Sequence, residues 1–325
     1  MTDGPTRTTD TSIDNDTAPA WFAQAVATTP ARDVLIVEDA RINVSSWGER
    51  GAPGLVLVHG AAAHAQWWSF IAPQLAAGGY HVAALDLSGH GDSGHRDRYA
   101  FDLWTAELLA VIEAMGMDRP VLIGHSLGGY VVTSFAARWS DRIAGAVVAD
   151  SPFADMSEIA ASKAVGSDNP VAAFGRQSVY ASADEAMERF RLYPPQPCGN
   201  EFIVRHIARA SLGPTDGGWT WKFDRRIFDS LDFGEPMTAL GAVTGPLAFI
   251  HGEASPLIAP AQRRRMTSLL GREIPYIEIP EANHHLMLDQ PLAFVVALRA
   301  VLETWTHSEP DANAIRDARC ATNEP

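Results

Sequence analysis

The chain is poor in cysteine and has no long apolar run. Only two of its 325 residues are cysteines, Cys198 and Cys320, and they are far apart. A disulfide framework or a cysteine-based zinc site is therefore not expected. No stretch of about eighteen apolar residues is present, which argues against a membrane-spanning helix. The first residues also lack the basic and apolar regions of a secretory signal. These absences predict a cytoplasmic protein.

Positive charge is also scarce. The chain has 25 basic and 39 acidic residues, a formal net charge of −14. Nucleic-acid binding needs a positive surface, and docking to an anionic membrane needs the same, so neither partner is expected. Apolar residues make up 46% of the chain, enough for a substantial core. A small-molecule substrate is the expected partner, and both a monomer and a homo-oligomer remain open.

Strand-like and helix-like segments alternate along most of the chain. Continuous apolar runs of about five residues are typical of strands that are buried on both faces of a parallel sheet. The predicted strands are Asp33–Glu38, Arg41–Trp47, Gly54–His59, His81–Leu85, Pro120–Ile123, Ala144–Ala149 and Pro246–Ile250. The predicted helices are Gln66–Ala77, Phe101–Met115, Leu127–Trp139, Pro260–Leu270 and Pro291–Trp305, with a short amphipathic helix at Trp21–Val26. This alternation predicts an α/β fold with an open, doubly wound sheet.

One interval interrupts the alternation. It is too long for a loop within a sheet, and its pattern contains helical pieces, Ala183–Leu192 and Glu201–Leu212, so we expect an inserted helical cap. The polar ends of the chain are typical of disordered tails. The predicted organisation is a tail at 1–18, the first part of the core at 19–150, the cap at 151–244, the second part of the core at 245–306 and a tail at 307–325.

The sequence Gly124-His125-Ser126-Leu127-Gly128 has the pattern G-x-S-x-G and stands between a predicted strand and a predicted helix. A serine in such a sharp turn projects its hydroxyl above the sheet, and the small residues let the backbone fold closely. Ser126 is therefore the predicted nucleophile. The backbone amides of Leu127 and of Ala61, in the loop after His59-Gly60, are the predicted oxyanion hole.

These landmarks resemble the α/β-hydrolase superfamily, in particular its capped serine hydrolase branch. The matching segments are His59-Gly60, Asp86–Ser93, Gly124–Gly129 and Ala282–His285, which cover about residues 41–150 and 245–305 together with their surroundings. The resemblance implies the α/β-hydrolase fold, with a mostly parallel eight-stranded sheet flanked by helices and an inserted cap. It also implies a triad in the order serine, acid, histidine.

The segment Asn283-His284-His285 stands where the family usually carries a Gly-His pair. His284 aligns with the family's catalytic base, and Asn283 replaces the glycine. His285 remains an alternative, because a shift of the loop by one residue would exchange the two histidines. The pair is not expected to bind a metal, since adjacent side chains do not converge and no third ligand is evident.

The acid departs from the usual pattern of the family. Most members carry it after the strand that follows the cap, where this chain has Ser255, and a hydroxyl cannot supply the charge. Some members place it after the strand that precedes the cap, and there this chain has Asp150. We predict Asp150 as the acid. Glu253 is the alternative acid. The alternative role of Asp150 is structural, as the N-cap of the first helix of the cap.

The resemblance and the motifs predict a serine hydrolase that cleaves an ester, lactone or related acyl bond of a small to medium hydrophobic substrate, without a metal or an organic cofactor. A carbon–carbon bond hydrolase, a cofactor-free oxygenase with a His-Asp pair and a non-catalytic receptor are the alternatives. Epoxide hydrolases and haloalkane dehalogenases of this fold use an aspartate nucleophile, so Ser126 argues against their reactions. The predicted substrate-binding residues are Trp67, His125, Trp219 and Trp221. The alternative role of Trp67 is packing in the core. The alternative role of Trp219 and Trp221 is packing of the cap onto the core.

Overall fold

The structure is a computed structural model that describes residues 18–153, 178–227, 231, 236–258 and 260–306. Nearly all of both predicted tails, and part of the predicted cap, lie outside these residues. The strands are β1 (Ala31–Val37), β2 (Ala40–Trp47), β3 (Gly54–Val58), β4 (His81–Leu85), β5 (Val121–His125), β6 (Gly145–Ala149), β7 (Leu212–Thr215), β8 (Gly218–Trp221), β9 (Leu247–Gly252) and β10 (Tyr276–Ile279).

Helices alternate with these strands. They are α1 (Ala20–Ala27), α2 (Ala72–Ala76), α3 (Phe101–Ala114), α4 (Leu127–Arg138), α5 (Ala183–Glu188), α6 (Glu201–Ala210), α7 (Pro236–Gly241), α8 (Pro260–Leu270), α9 (Leu286–Asp289) and α10 (Pro291–Thr306). Short 3-10 helices stand at Ala65–Trp68 and Ser140–Arg142. Within the described ranges, no helix is both long and apolar enough to cross a membrane.

Eight strands form one sheet in the order β1-β2-β4-β3-β5-β6-β9-β10. β2 is antiparallel to both of its neighbours, and the other neighbouring pairs are parallel. This arrangement confirms the predicted mostly parallel sheet of eight strands. The chain runs from β3 outward to β4 and then returns to β5 on the other side of β3, so the strand order reverses between β3 and β5. Open α/β sheets bind ligands beside the carboxyl ends of the strands at such a point.

The core lies on both faces of the sheet. Successive side chains of a strand point to opposite faces, and β3 shows the consequence. Val56 and Val58 pack with apolar side chains of α3 and α4, whereas Leu55 and Leu57 pack with those of α1, α2 and α10. All of β3, β4, β5 and β6 is buried. This double burial explains why these strands appear in the sequence as continuous apolar runs.

The structure corrects two predicted elements. The helix predicted at Gln66–Ala77 is divided into the 3-10 helix Ala65–Trp68 and α2, because Pro73 lacks an N–H for a continuous helix and is instead accommodated in the first turn of α2. The segment between β6 and β9, which was predicted to be a helical cap and is called the cap below, also contains the antiparallel hairpin β7–β8. Asp216-Gly217 forms its turn, and Gly217 has a φ of +87°. An Asp-Gly turn between strands is a hairpin signal that the helical prediction overlooked.

Candidate active site

Ser126 occupies a strained turn between β5 and α4. Its φ of +52° and ψ of −116° are unusual for a residue with a side chain. The surrounding backbone holds this conformation: the Ser126 amide donates to the carbonyl of Ala149 at 2.9 Å, and the Ser151 hydroxyl donates to the carbonyl of Ser126 at 2.7 Å. The turn therefore presents the Ser126 side chain at the carboxyl edge of the sheet.

The glycines of the motif permit this turn. A Cβ atom on Gly124 would collide with the backbone of Gly128, and one on Gly128 would collide with the carbonyl oxygens of Val58 and His59. The start of α4 therefore lies directly against β5 and against the end of β3. Only glycine allows backbone segments to approach so closely, which is the physical reason for the pattern around the serine.

His284 and Asp150 continue from Ser126 in one hydrogen-bonded chain. His284, in the loop between β10 and α9, places Nε2 3.1 Å from Ser126 Oγ and Nδ1 2.7 Å from Asp150 Oδ2. The Asp150 side chain is fully buried and that of His284 is 2% exposed. The structure thus brings together the three residues that the sequence analysis selected as nucleophile, base and acid.

Asp150 follows β6 directly and is itself in the left-handed region, with a φ of +49°. Its Oδ1 accepts a hydrogen bond from the Gly252 amide at 3.0 Å, and its Oδ2 accepts one from the Ser255 hydroxyl at 2.6 Å. Glu253, the alternative acid, is exposed and accepts from the Glu281 amide at 3.0 Å. Asp150, and not Glu253, is therefore the carboxylate beside the histidine.

The loop after β3 passes beside the nucleophile. A Cβ atom on Gly60 would lie 3.2 Å from Ser126 Cβ, so the backbone that leads into Ala61 runs close to the serine. Of the described residues, none accepts a hydrogen bond from the amide of Ala61 or of Leu127. Two amides near one hydroxyl are the arrangement that an oxyanion requires.

His59 holds this loop in place. Its Nδ1 donates to the Gly60 carbonyl at 2.7 Å, and its Nε2 accepts from the Leu87 amide at 3.1 Å. Burial lowers the pKa of His59 to about 4, although the bond to the Gly60 carbonyl opposes the change. The ring is therefore neutral at pH 7 and joins the ends of β3 and β4.

Two further imidazoles surround His284. The ring of His125 lies 4.8 Å from that of His284, and its Nε2 donates to the His284 carbonyl at 3.0 Å. The ring of His285 also lies 4.8 Å from His284. Burial lowers the pKa of both His125 and His285 well below the ordinary value, and the neighbouring His284 adds to the effect. Among the described residues, His284 is the one of these three rings that contacts a carboxylate.

The same three histidines are the group of described residues whose side chains come closest to a metal site. One ligand atom from each lies within 4.8 Å of the others. The two ring nitrogens of His284 are, however, already bonded to Asp150 and Ser126. A metal at this position would have to replace the contact between the histidine and the serine, so the donor set fits a proton relay better than a metal.

The four predicted substrate-binding residues occupy two different places. Trp67 is 6% exposed and packs against His285 with ring centroids 5.2 Å apart, so it lies, like His125, among the side chains around the loop of His284. Trp219 and Trp221 lie on β8 of the cap and are half-buried. Trp221 packs against Tyr180 and Phe190 of the cap, with centroids 6.0 Å and 5.8 Å apart.

The cap contributes polar contacts to the histidine loop that the sequence analysis did not find. Gln196 Oε1 accepts from the His285 amide at 2.8 Å, and Gln196 Nε2 donates to Asp289 Oδ2 at 3.0 Å. The same oxygen of Asp289 accepts from the Asn283 amide at 2.8 Å. Asn200 Nδ2 donates to the Leu288 carbonyl at 2.7 Å. No local motif predicts the contacts of Gln196 and Asn200, because each of them joins residues about ninety positions apart.

A second cap contact reaches the loop after β3. His64 Nε2 lies 2.7 Å from Ser211 Oγ, at the end of α6, and the Ser211 hydroxyl donates to the Ile207 carbonyl at 2.8 Å. His206, also on α6, places Nε2 2.8 Å from Ser69 Oγ. The segment from Gln196 to Ser211 therefore touches both the loop of the histidine and the loop of the predicted oxyanion hole.

Known hydrolases are similar to this chain over most of its length. The chain is 24% identical to an epoxide hydrolase A of Mycobacterium tuberculosis, covering 83% of this chain and 96% of the relative. It is 25% identical to the esterase Rv0045c of the same organism, covering 86% and 93%. It is 26% identical to a monoacylglycerol lipase of Mycolicibacterium smegmatis, covering 73% and 82%. These relatives are hydrolases by name, and their substrates differ.

Solved structures share the fold. The E-2-(acetamidomethylene)succinate hydrolase matches with a TM-score of 0.72 at 20% identity, covering 84% of this chain and 99% of that one. The thioesterase domain from the curacin biosynthetic pathway matches with a TM-score of 0.69 at 22% identity, covering 83% and 99%. The sequence pattern of the alpha/beta hydrolase family matches residues 55–298, which is most of the chain. The protein therefore belongs to the alpha/beta hydrolase family.

Proposed function

We propose that the protein is a serine hydrolase that cleaves an ester, lactone or related acyl bond of a small to medium hydrophobic substrate. The observation that carries the proposal is the continuous contact from Ser126 Oγ through the His284 ring to the buried Asp150 carboxylate, at 3.1 Å and 2.7 Å. A serine hydroxyl is a weak nucleophile at neutral pH and needs an adjacent base that a third group orients. All three parts are present here.

The first half of the reaction forms an acyl-enzyme. Ser126 Oγ attacks the substrate carbonyl while His284 Nε2 takes its proton, and Asp150 stabilises the resulting imidazolium. The amides of Ala61 and Leu127 donate to the oxygen on which negative charge develops. The tetrahedral intermediate collapses, the bond to the alcohol oxygen breaks, and the leaving alcohol receives the proton from His284.

The second half returns the enzyme to its starting state. His284 takes a proton from water, and the hydroxide oxygen attacks the acyl carbon. The bond to Ser126 Oγ then breaks, and the serine recovers its proton from His284. Because His125 and His285 are neutral, neither adds a positive charge beside the imidazolium, which would otherwise destabilise it.

Apolar and aromatic side chains near the start of α4 and in the cap support a hydrophobic substrate. Tyr130 and Phe153 are buried near the start of α4, with ring centroids 5.0 Å apart. Trp219 and Trp221 add aromatic surface in the cap, and we propose that they contact the acyl chain. Trp67 and His125 complete the proposed set from beneath the histidine loop. Apolar pockets with few polar groups suit such substrates.

The test is covalent labelling of Ser126 with a fluorophosphonate probe, together with hydrolysis of p-nitrophenyl esters of increasing chain length and a panel of lactones. We expect labelling and ester turnover in the wild-type protein and neither in Ser126→Ala. An epoxide belongs in the panel because a relative carries that name. Turnover of the epoxide with unlabelled Ser126 and no ester cleavage would overturn the proposal.

A further inference from the structure

We infer that Ser255 is a positioning residue that holds the Asp150 carboxylate in place and offsets part of its negative charge. This inference rests on the proposed acyl-transfer function. Ser255 Oγ lies 2.6 Å from Asp150 Oδ2. His284 Nδ1 lies 2.7 Å from that same oxygen. The serine hydroxyl and the catalytic imidazole therefore share one carboxylate oxygen, and the serine acts on the histidine through it.

The loop after β9 orients the Ser255 hydroxyl toward Asp150. The Ser255 amide donates to the Gly252 carbonyl at 3.1 Å, which closes the turn that carries the side chain. The Leu257 amide donates to Ser255 Oγ at 3.3 Å. With a donor already directed at the oxygen, the hydroxyl hydrogen is left for Asp150. A carboxylate is the strongest acceptor near it, and such charge-assisted bonds are short.

A second donor completes the arrangement. The Gly252 amide donates to Asp150 Oδ1 at 3.0 Å, so the described residues supply the buried carboxylate with three hydrogen bonds. Two of the donors come from the end of β9 and its loop, and the third is the catalytic histidine. A buried charge needs several donors to offset its loss of water. Without the Ser255 hydroxyl, more of the negative charge of Asp150 Oδ2 would act on the imidazole of His284. The carboxylate would also lose one of the hydrogen bonds that restrain its position.

We expect loss of the Ser255 hydroxyl to affect proton transfer rather than substrate affinity. In Ser255→Ala we expect kcat to fall about tenfold with KM unchanged, because Asp150 Oδ2 loses a restraint on its position and the His284 ring is aligned less well with Ser126. The acidic limb of the pH profile of kcat/KM should move to higher pH, because a less neutralised carboxylate stabilises the protonated imidazole more strongly.

A matched pair of variants separates the hydroxyl from the shape of the side chain. Thr and Val have nearly the same shape, and only Thr keeps the hydroxyl. We expect Ser255→Thr to retain kcat and the pH profile of the wild type, and Ser255→Val to reproduce Ser255→Ala. Glu253→Gln, an exposed change two residues earlier on the same loop, is the control for general disturbance of the loop.

A spectroscopic measurement tests the inference without a substrate. The downfield proton resonance of the His284 Nδ1–H should move in Ser255→Ala and Ser255→Val and remain in place in Ser255→Thr. The melting temperature of each variant shows that the folded protein is being compared. If the Val and Thr variants share the same kcat, pH profile and resonance position, Ser255 is not a positioning residue and the inference is overturned.

The two proposals fail in different ways. Absence of fluorophosphonate labelling and of ester turnover in the wild-type protein would remove the acyl-transfer function. The resonance would still report whether Ser255 acts on the Asp150–His284 pair. Conversely, a wild-type esterase in which the Ala, Val and Thr variants behave alike keeps its function and loses the role assigned to Ser255.

Discussion

The core and the cap contribute to the site by different kinds of contact. In the core, the functional side chains bond directly to one another, from Ser126 through His284 to Asp150. The cap contacts instead the loops that carry these residues: Gln196 bonds to the backbone of His285, and Ser211 bonds to His64. The core therefore supplies the proposed reacting groups, and the cap contacts two of the loops that carry or adjoin them.

This difference has a consequence for mutation. A change in the core chain removes a group that carries charge during the reaction. A change in a cap contact leaves every reacting group present and alters only its position. Effects on the rate should therefore decrease from the core to the cap, and the following predictions test that order.

The largest expected effect is that of Asp150→Asn. Asn tolerates the left-handed backbone at this position and preserves the size of the side chain. It cannot stabilise the imidazolium, so we expect kcat to fall by about 10⁴-fold. Steady-state kinetics with a p-nitrophenyl ester measures the change. Glu253→Gln is the control and should match the wild type. A severe loss in Glu253→Gln beside a mild one in Asp150→Asn would assign the acid to the other strand.

The second prediction concerns the pH dependence of stability. Burial lowers the pKa of His59 to about 4, from an ordinary value of 6.5. As the pH falls through 6.5, the unfolded chain takes up this proton before the folded protein does, so the free energy of unfolding decreases. This histidine alone should cost about 2 kcal/mol between pH 7 and pH 5.

Other groups modify this effect. Burial also lowers the pKa of His64, His90, His125 and His285 well below the ordinary value. Asp86 acts in the opposite direction, because burial raises its pKa to about 6 and the folded protein then binds the proton more readily. Urea unfolding at pH 7, 6 and 5 measures the net change. A free energy of unfolding that is constant over this range would contradict the prediction.

The third prediction addresses the cap. In Gln196→Ala the His285 amide and Asp289 each lose a partner, and the loop that carries His284 loses one of its links to the cap. We expect kcat to fall about tenfold, because a small displacement of the base is enough to slow proton transfer. Arg191→Ala, an exposed change in the same part of the cap, is the matched control. Equal rates in the two variants would show that the cap does not position the histidine.

The smallest expected effect is that of Trp219→Ala. Trp219 is half-buried and lies on the hairpin β7–β8, which is a sheet separate from the one that carries the triad. It is also far along the chain from Ser126, Asp150 and His284. Loss of its apolar surface should raise KM by about threefold for long-chain esters and leave kcat unchanged, since only binding of the acyl chain is affected. KM values that do not change at any chain length would remove Trp219 from the substrate-binding set.

The sequence predicted the nucleophile turn and the sheet well, because both depend on local patterns. The apolar run Pro120–Ile123, followed by Gly124-His125-Ser126, indicates a buried strand and a sharp turn within a few positions. The hairpin β7–β8 was the main error in the cap. Its signal, Asp216-Gly217 followed by Trp219-Thr220-Trp221, is also local. The helical character of the neighbouring segments concealed it.

The sequence by itself determined which residue types stand at the carboxyl ends of the strands. It shows the glycines around Ser126, the aspartate after β6 and the serine after β9. The resemblance to the family is recognised from residues of this kind. The eight-stranded sheet was predicted from the same information, since double burial leaves its mark on each strand separately.

Only the tertiary structure decided which of these residues meet. Asp150 and His284 are 134 positions apart and Gln196 and His285 are 89 apart, and the fold alone brings them within hydrogen-bond distance. Asp150 rather than Glu253 lies beside the histidine because Ala149 and Ile250 are paired in register, which turns the loop after β9 so that Ser255, and not Glu253, faces the carboxylate. Strand register is a property of the assembled sheet, and a single strand does not contain it.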